Sequence, residues 1–373
     1  MVMKARSIVS EHLMEGLKMR KRIVLTGGGS TGHVAVNLAL IPYLLERGWE
    51  VYYIGSKEGI EVSLINEFNE VTYFPISTGK LRRYMDIKNI KDPFHIMKGF
   101  MQSRKIMKEI QPSIIFSKGG FVSVPVILAG ASRKIPIISH ESDITPGLAN
   151  KLSLPFVQKI CYTFPEAKNH IPADKAFFLG PIVRNELRHG DANIGMKMCQ
   201  FTSRKPGLLV MGGSQGSEAV NQAVRSNLDI LVKTFNVIHL CGKGKVDSSI
   251  HVNGYAQFEY INQGLADILA ITDIAVSRAG SNSIFEFLCL KIPMISIPLS
   301  KQASRGDQLL NAESFKKQGF AHVIEEEALT VNRLSETVEA VFKNKQTIIK
   351  KMDRFQSEDG LQRLYELIDT YQL

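Results

Sequence analysis

The sequence has few cysteines, no long apolar segment and no recognisable export signal. Its 373 residues include only four cysteines, which lie about 40 positions apart: Cys161, Cys199, Cys241 and Cys289. This wide spacing excludes CxxC metal pairs and a disulfide framework and favours a reducing cytosol. Apolar runs such as 124–131 stay well below the ~18 residues that a membrane-spanning helix needs. Residues 1–20 lack the apolar region of a secretory signal. We expect residues 1–18 to be either a helical extension before the first domain or the product of a start codon assigned too early.

The length and composition predict a protein with more than one folded domain. At roughly 150 residues per domain, the chain allows two or three domains. Hydrophobic residues make up 44% and charged residues 22%, with 29 Gly and 14 Pro. These values are close to those of average globular proteins, and they exclude a disordered or fibrous chain.

The net charge of +10 is concentrated in one short segment. Residues 79–108 hold nine Lys or Arg and two Asp, interleaved with apolar side chains. This mixture is typical of segments that rest on anionic lipid, although an ordinary solvated helix face is the alternative. Nucleic acid is not a predicted partner because no recognition motif accompanies the charge. The residues predicted to reach the membrane surface are Lys80, Arg82, Arg83, Lys88, Lys91, Phe94 and Phe100.

Short apolar runs alternate with stretches of helical periodicity, such as 34–46, along the chain. This alternation predicts parallel sheets with helices on both faces. The predicted strands are 23–26, 51–54, 114–116, 135–139, 159–162, 208–211, 237–240, 274–277 and 294–297.

An internal repetition predicts the number of domains. Residues 23–32 and 208–216 each combine an apolar strand, a glycine-rich turn and the start of a helix, half a chain apart. We therefore expect two doubly wound α/β domains, 21–182 and 183–351, with 352–373 packing back on the first. The junction falls near Gly180-Pro181, because Gly-Pro strongly interrupts regular structure.

Three glycine loops predict phosphate-binding sites: 27–32, 119–120 and 212–216. A strand that ends in glycines before a helix directs unpaired N–H groups at the positive end of the helix dipole. The alternative for any single loop is a tight turn that needs positive φ. Two such loops at matching positions in repeated halves favour the phosphate interpretation.

Other motif matches fit less well. The GxGxxG pattern at 27–32 would indicate a dinucleotide site, but the second predicted strand, 51–56, ends without the acidic residue that holds the ribose. The GxSxG pattern at 212–216, followed by Asp307 and His322, resembles a hydrolase nucleophile elbow. A hydrolase, however, has no use for the matching loop in the first half. No lysine follows a glycine run as in a P-loop.

Seven motifs, in matching order, resemble the MurG family, the lipid I N-acetylglucosaminyltransferases of bacterial peptidoglycan synthesis. They are GGGSTGHVAVNLAL (27–40), SKGGFVSVP (117–125), ISHESDITPGLANK (138–151), GPIVR (180–184), GGSQG (212–216), SRAGSNSIFEFL (277–288) and GDQLLNA (306–312).

The resemblance implies a GT-B fold, two Rossmann-like domains facing a cleft, with the acceptor half first and the UDP-GlcNAc half second. It implies inverting transfer of GlcNAc from UDP-GlcNAc to the MurNAc 4-hydroxyl of undecaprenyl-linked lipid I, giving lipid II. It also implies peripheral attachment to the cytoplasmic face of the cell membrane. A related GT-B enzyme acting on diacylglycerol is the alternative. No cofactor or metal is expected, because no Asp-x-Asp loop appears and helix dipoles can replace a cation.

The resemblance also implies which residues contact the donor. Arg184 is expected near the nucleotide, with pairing to Glu186 as the alternative, and Glu286 is expected to accept both ribose hydroxyls. Ser214 either binds a phosphate or caps the following helix. Ile261 corresponds to a residue that meets uracil through its main chain. The expected UDP-GlcNAc contacts are Ser30, Thr31, Gly32, Asp143, Arg184, Gly213, Ser214, Gly216, Ile261, Ser281, Asn282, Glu286 and Gln308.

The acceptor half supplies three candidate catalytic residues, His33, His140 and Glu141. An inverting transfer needs a base for the acceptor hydroxyl, and His33 is either this base or a diphosphate contact. No HExxH pattern follows His140, so the pair is not a zinc site. The expected contacts to the acceptor diphosphate are Gly28, Gly29, His33, Gly119 and Gly120. Asp143 and Phe121 stand where many family members have Asn and Tyr.

Overall fold

The computed structural model describes residues 21–79, 92–213, 215–261, 263–300, 306–355 and 359–371. The N-terminal extension, Ser214 and the basic residues between 80 and 91 lie outside these ranges. Within them, the four cysteines are free thiols, as their spacing predicts. In the described part of the chain, no helix is long and apolar enough to cross a membrane.

The first half forms a parallel sheet in the order β3-β2-β1-β4-β5-β6-β7. Its strands are β1 (Arg22–Thr26), β2 (Glu50–Ser56), β3 (Thr72–Ile76), β4 (Ile114–Ser117), β5 (Ile137–Glu141), β6 (Lys159–Tyr162) and β7 (Ala176–Phe178).

The second half forms a parallel sheet in the order β10-β9-β8-β11-β12-β13. Its strands are β8 (Gly207–Met211), β9 (Asn236–Leu240), β10 (Tyr255–Phe258), β11 (Ile274–Ser277), β12 (Met294–Ser296) and β13 (Ala321–Val323). The prediction of two doubly wound α/β units is therefore confirmed.

Helices connect the strands, and short 3₁₀ turns occur between them. The α-helices are α1 (Ala35–Leu45), α2 (Ile60–Ile65), α3 (Asp92–Ile110), α4 (Ser123–Ser132), α5 (Leu148–Ser153), α6 (Ala192–Met198), α7 (Glu218–Arg225), α8 (Leu228–Thr234), α9 (Leu265–Ala270), α10 (Ser281–Cys289), α11 (Asp307–Gln318), α12 (Val331–Lys343), α13 (Lys345–Met352) and α14 (Gly360–Asp369).

Hydrophobic packing joins the two halves at the hinge. Phe164 of the first half makes edge contacts with Phe285 and Phe315 of the second, at ring-centroid distances of 4.9 and 5.9 Å. The last helix, α14, returns to the first half, where Leu364 and Ile368 are buried in the core beside β1. The domain limits, and the assignment of residues 352–373 to the first domain, stay a prediction.

The strand order creates one topological switch point in each sheet. In the first sheet, β1 and β4 are neighbours whose connections leave in opposite directions, and Thr26 pairs with Ser117. In the second sheet, the neighbouring strands β8 and β11 form the switch point, and Met211 pairs with Ser277. Ligands of open α/β sheets collect outside the carboxyl ends of such strands. All three predicted glycine loops follow β1, β4 or β8.

Candidate active site

A cleft of about 1750 Å³ lies between the two halves and is lined by loops from both sheets. It includes seventeen of the twenty residues predicted to act in the site, from both halves: Gly28, Gly29, Ser30, Thr31, Gly32, His33, Gly120, Glu141, Asp143, Arg184, Gly213, Gly216, Ile261, Ser281, Asn282, Glu286 and Gln308. Ser214 lies outside the described residues. Gly119 and His140 are described but are not among the residues that line the cleft.

The loop after β1 ends in a short 3₁₀ helix, Thr31–His33, at the wall of the cleft. His33 Nδ1 lies 3.0 Å from Ser30 Oγ, so the hydroxyl orients the imidazole ring. The Gly29 N–H, however, donates to Glu61 Oε2 at 3.1 Å, and Glu61 is completely buried. The expectation that Gly29 offers its N–H to a diphosphate is therefore corrected, because that donor already has a carboxylate partner.

The loop after β4 lies against the first glycine loop. Gly120 adopts φ +80°, and a Cβ there would lie 2.5 Å from the carbonyl oxygen of Gly28. Only glycine fits this left-handed, crowded position. The Gly119 N–H donates to Ser117 Oγ at 3.1 Å, away from the cleft. Of the two glycines in this loop, only Gly120 lines the cleft.

His140 is buried in β5, and its Nε2 lies 3.4 Å from Thr163 Oγ1. Burial and the nearby charge of Lys118 hold the pKa of the imidazole well below its usual value. The structure therefore places the catalytic candidate His140 in the core and not at the cleft, whereas the next residue, Glu141, lines the cleft.

Glu141 reaches the cleft, but its carboxylate is occupied by neighbouring donors. The backbone N–H groups of Asp143 and Gly147 donate to its two oxygens at 3.0 and 2.9 Å, and Asn150 Nδ2 donates at 2.9 Å. Burial and the charge of Asp143 raise the pKa of this carboxyl, while the three hydrogen bonds oppose the rise. This arrangement fixes the loop between β5 and α5.

The loop after β8 is the counterpart in the second half. Gly216 adopts φ +68°, and a Cβ there would lie 1.9 Å from the Cys241 carbonyl oxygen. The cap of α7 is Ser217, whose Oγ accepts from the Val220 N–H at 3.3 Å. Ser214 lies outside the described residues, so both of its expected roles stay predictions. Arg278 Nη2 also donates to Ser217 Oγ, at 2.6 Å.

Glu286 lies on α10 with its carboxylate close to Arg184, and both residues line the cleft. The separation of Arg184 Nη2 from Glu286 Oε1 is 3.9 Å, while Arg184 Nη1 lies 3.4 Å from Glu186 Oε1. Arg184 therefore pairs with Glu186, and its expected position near the nucleotide stays a prediction. Burial raises the pKa of Glu286 to about 7, against the opposing effect of Arg184.

Direct contacts cross between the halves at the floor of the cleft. Asn311 Nδ2 donates to Asp143 Oδ1 at 2.9 Å, and the Ile144 N–H donates to Asn311 Oδ1 at 3.3 Å. Asn282 Nδ2 donates to the Gly32 carbonyl at 3.4 Å. The amide oxygen of Gln308 accepts from the Leu299 N–H at 3.0 Å, within the second half.

Helix α3 presents an exposed apolar stripe near the cleft. Phe94, Met97 and Met101 are 75%, 61% and 57% exposed, and their spacing puts them on one helix face. His95 and Lys98 of the same helix line the cleft. Phe100, predicted to reach the membrane, is half-buried against the core, because six residues at 100° each turn it well away from Phe94.

Family models match both halves of the chain. Residues 23–162 match the glycosyltransferase family 28 N-terminal domain, and residues 207–367 match the family 28 C-terminal domain.

Two curated relatives share the name UDP-N-acetylglucosamine--N-acetylmuramyl-(pentapeptide) pyrophosphoryl-undecaprenol N-acetylglucosamine transferase. The Geobacillus thermodenitrificans protein is 54% identical over 94% of this chain and 99% of its own length. The Oceanobacillus iheyensis protein is 55% identical over 95% of this chain and 99% of its own length. The chain belongs to the MurG family of glycosyltransferases.

The GT-B fold of the MurG family is also found in solved structures. Acinetobacter baumannii MurG has a TM-score of 0.70 at 22% identity, covering 94% of this chain and 99% of that one. The glycosyltransferase of kitacinnamycin has a TM-score of 0.73 at 18% identity, covering 95% of this chain and 100% of that one. At these identities the likeness concerns the fold, and it confirms the prediction of two facing Rossmann-like units.

Three buried polar residues in or beside the cleft of this MurG-family protein are not predicted from the sequence: Glu61, Lys118 and Asn311. Glu61 accepts from Gly29 and from the N–H and hydroxyl of Ser56. Lys118 lines the cleft directly before Gly119-Gly120, but no glycine pattern in the sequence marks it. Asn311 stands in the GDQLLNA motif, yet its partner is 168 positions away. Within the described ranges, no group of three His, Cys, Asp or Glu side chains could hold a metal ion.

Proposed function

We propose that the protein transfers GlcNAc from UDP-GlcNAc to the MurNAc 4-hydroxyl of undecaprenyl-pyrophosphoryl-MurNAc-pentapeptide, forming lipid II. The observation that carries this proposal is 54–55% identity, over nearly the full length, to transferases named for this donor and acceptor. A cleft with one glycine loop set in each half supports it, because the donor and the acceptor both carry a diphosphate.

In this reaction the acceptor hydroxyl oxygen forms a bond to C1 of GlcNAc while the bond from C1 to the UDP oxygen breaks. The hydroxyl proton passes to a base, and negative charge develops on UDP. Backbone donors and a helix N-terminus stabilise such charge best when they are fixed before the reaction. We assign this task to the loop 212–216, including Ser214, and to Arg184.

The proposed base or diphosphate ligand is His33. Its Nδ1 is hydrogen-bonded to Ser30 Oγ, which fixes the orientation of the imidazole ring at the wall of the cleft. Among the three catalytic candidates, His140 is buried and Glu141 is fully engaged in hydrogen bonds. We therefore propose His33 for direct contact with the acceptor and Glu141 for holding the loop between β5 and α5.

For the donor, we propose that Glu286 accepts the ribose hydroxyls and that the main chain at Ile261 meets uracil. Both line the same wall of the cleft as Ser281, Asn282 and Gln308. We also propose the limits 21–182 and 183–351 for the acceptor and donor halves.

We further propose that the protein attaches peripherally to the cytoplasmic face of the membrane through the segment 79–108. The exposed stripe Phe94, Met97 and Met101 supports this, since isolated apolar patches on otherwise polar surfaces mark contact sites. Exposed basic residues on the same helix, Lys98, Arg104, Lys105 and Lys108, suit an anionic surface. Attachment here would bring the lipid-linked acceptor to the mouth of the cleft.

The deciding experiment is transfer of radiolabelled GlcNAc from UDP-GlcNAc to purified lipid I, with diacylglycerol offered as a competing acceptor. We expect labelled lipid II and no diacylglycerol product. No transfer to lipid I, or faster transfer to diacylglycerol, would refute the proposal. Binding of UDP-GlcNAc without turnover on any lipid would instead indicate a sugar-nucleotide binding protein.

A further inference from the structure

Lys118 is a buried cation at the floor of the cleft, in the loop directly after β4. Its side chain is 3% exposed, and Nζ donates to Ser142 Oγ. Its backbone N–H donates to the Thr26 carbonyl at 2.9 Å, which continues the pairing of β1 with β4 into the loops. Lys118 therefore lies between the two glycine loops of the acceptor half, with its ammonium group directed to the loop that follows β5.

Two carboxylates, Glu141 and Asp143, flank Ser142, the residue that accepts from this ammonium group. Both attract the Lys118 charge. Moving a lysine out of water is costly, and burial lowers the pKa of Lys118 to about 8, against the opposing effect of the two acids. A buried cation beside two buried carboxylates is tolerated because each charge offsets the other.

Asp143 links this group of charges to the contacts between the two halves. Asn311 on α11 donates to the carboxylate of Asp143 at Oδ1. Asp307 on α11 repels it. Asn311 is itself completely buried, and its Nδ2 also lies 3.3 Å from the Ala279 carbonyl.

We infer that Lys118 is a positioning residue: its ammonium group balances Glu141 and Asp143, and so holds the Asp143–Asn311 hydrogen bond that fixes the two halves around the cleft. This deepens the proposed function, because alignment of the acceptor half with the donor half is what the transfer requires. Lys118 acts through Asp143 and does not touch the reacting atoms.

The physical consequence is a coupling between two charges. Without Lys118, Asp143 remains buried beside Glu141 and Asp307 with no compensating cation, so its pKa rises further. When Lys118→Met and Asp143→Asn remove both charges, the side-chain amide oxygen at position 143 can still accept the hydrogen bond from Asn311. Removing one partner of a buried pair is costly, whereas removing both is much less so.

The test compares the full-length parent with Lys118→Met, Asp143→Asn, the double variant, and Lys168→Met. Lys168 is an exposed lysine in the 3₁₀ turn Pro165–His170 of the same half, and serves as the matched control. The measurements are kcat/KM for GlcNAc transfer to lipid I between pH 6 and 9, and melting temperatures of the proteins without ligand.

We expect Lys118→Met to lower kcat/KM by about 10- to 100-fold, the equivalent of one lost charged hydrogen bond. In the pH profile of this variant, the fall of kcat/KM on the acidic side should lie at higher pH than in the parent. Asp143→Asn should lose less activity than Lys118→Met. The double variant should recover most of the Lys118→Met loss and the parent-like pH profile, and Lys168→Met should match the parent.

A double variant as impaired as Lys118→Met, or an unimpaired Lys118→Met, would overturn the inference, and the first result would indicate direct contact of Lys118 with substrate. If Lys118→Met alone fails to fold, the double variant should still fold, and its failure would also refute the coupling. Melting temperatures report the coupling without any reaction. A parent protein that is inactive on lipid I would therefore refute the proposed function, and the melting temperatures would still test the coupling.

Discussion

The pH dependence of donor binding tests the proposed role of Glu286. Burial raises the pKa of its carboxyl to about 7, so the group is mostly ionised at pH 8 and mostly protonated at pH 6. Only the ionised carboxylate accepts hydrogen bonds from two ribose hydroxyls at once. Binding should therefore be strongest above pH 7 and weaken as the pH falls through this value.

The size of the effect follows from the ionised fraction. This fraction falls from about 0.9 at pH 8 to about 0.1 at pH 6, which weakens binding about tenfold, or ~1.4 kcal/mol. The assay is calorimetric titration with UDP-GlcNAc, whose diphosphate is esterified at both ends and does not titrate in this range. Glu286→Ala should weaken binding at pH 8 by about 1–3 kcal/mol.

Two variants isolate the Glu286 carboxyl. Glu286→Gln cannot ionise, so its dissociation constant should be uniformly weak and nearly independent of pH. Glu186→Gln removes an exposed carboxylate whose charge raises the pKa of Glu286, so the parent slope should persist with its midpoint at lower pH. A parent dissociation constant that is constant from pH 6 to 8, or a slope that persists in Glu286→Gln, would refute the reasoning.

Three further predictions concern other parts of the molecule. His33→Ala should lower kcat by about 10²–10⁴-fold if His33 is the base, with UDP-GlcNAc affinity unchanged; a much smaller loss, confined to the KM for lipid I, would identify a diphosphate contact. Glu61→Ala removes a buried carboxylate that accepts from the N–H groups of Gly29 and Ser56 and should cost about 1–3 kcal/mol in denaturant unfolding, and an unchanged midpoint would contradict this. Phe94→Ser should reduce sedimentation with anionic vesicles, chiefly the salt-resistant part, whereas Ile230→Ser, an exposed residue of the other half, should not.

The central strands of both sheets could be predicted from the sequence, whereas the edge strands could not. All nine predicted apolar runs correspond to internal strands, within one or two residues at most ends. The four strands that were missed, β3, β7, β10 and β13, are the outer strands of the two sheets. An internal strand of a parallel sheet is buried on both faces and must be continuously apolar, whereas an edge strand need not be. β3 even contains Pro75, which only an edge tolerates.

The sequence alone determined the fold class, the family and the glycine loops that line the cleft, because glycine turns and apolar runs are local patterns set by backbone conformation and burial. Only the tertiary structure decided which polar groups are already occupied. Gly29 bonds to Glu61, 32 positions away, and Asp143 bonds to Asn311, 168 positions away. It also turned His140 into the core while leaving its neighbour Glu141 in the cleft. Such pairings depend on which loops the two sheets bring together in space, and no spacing along the chain encodes them.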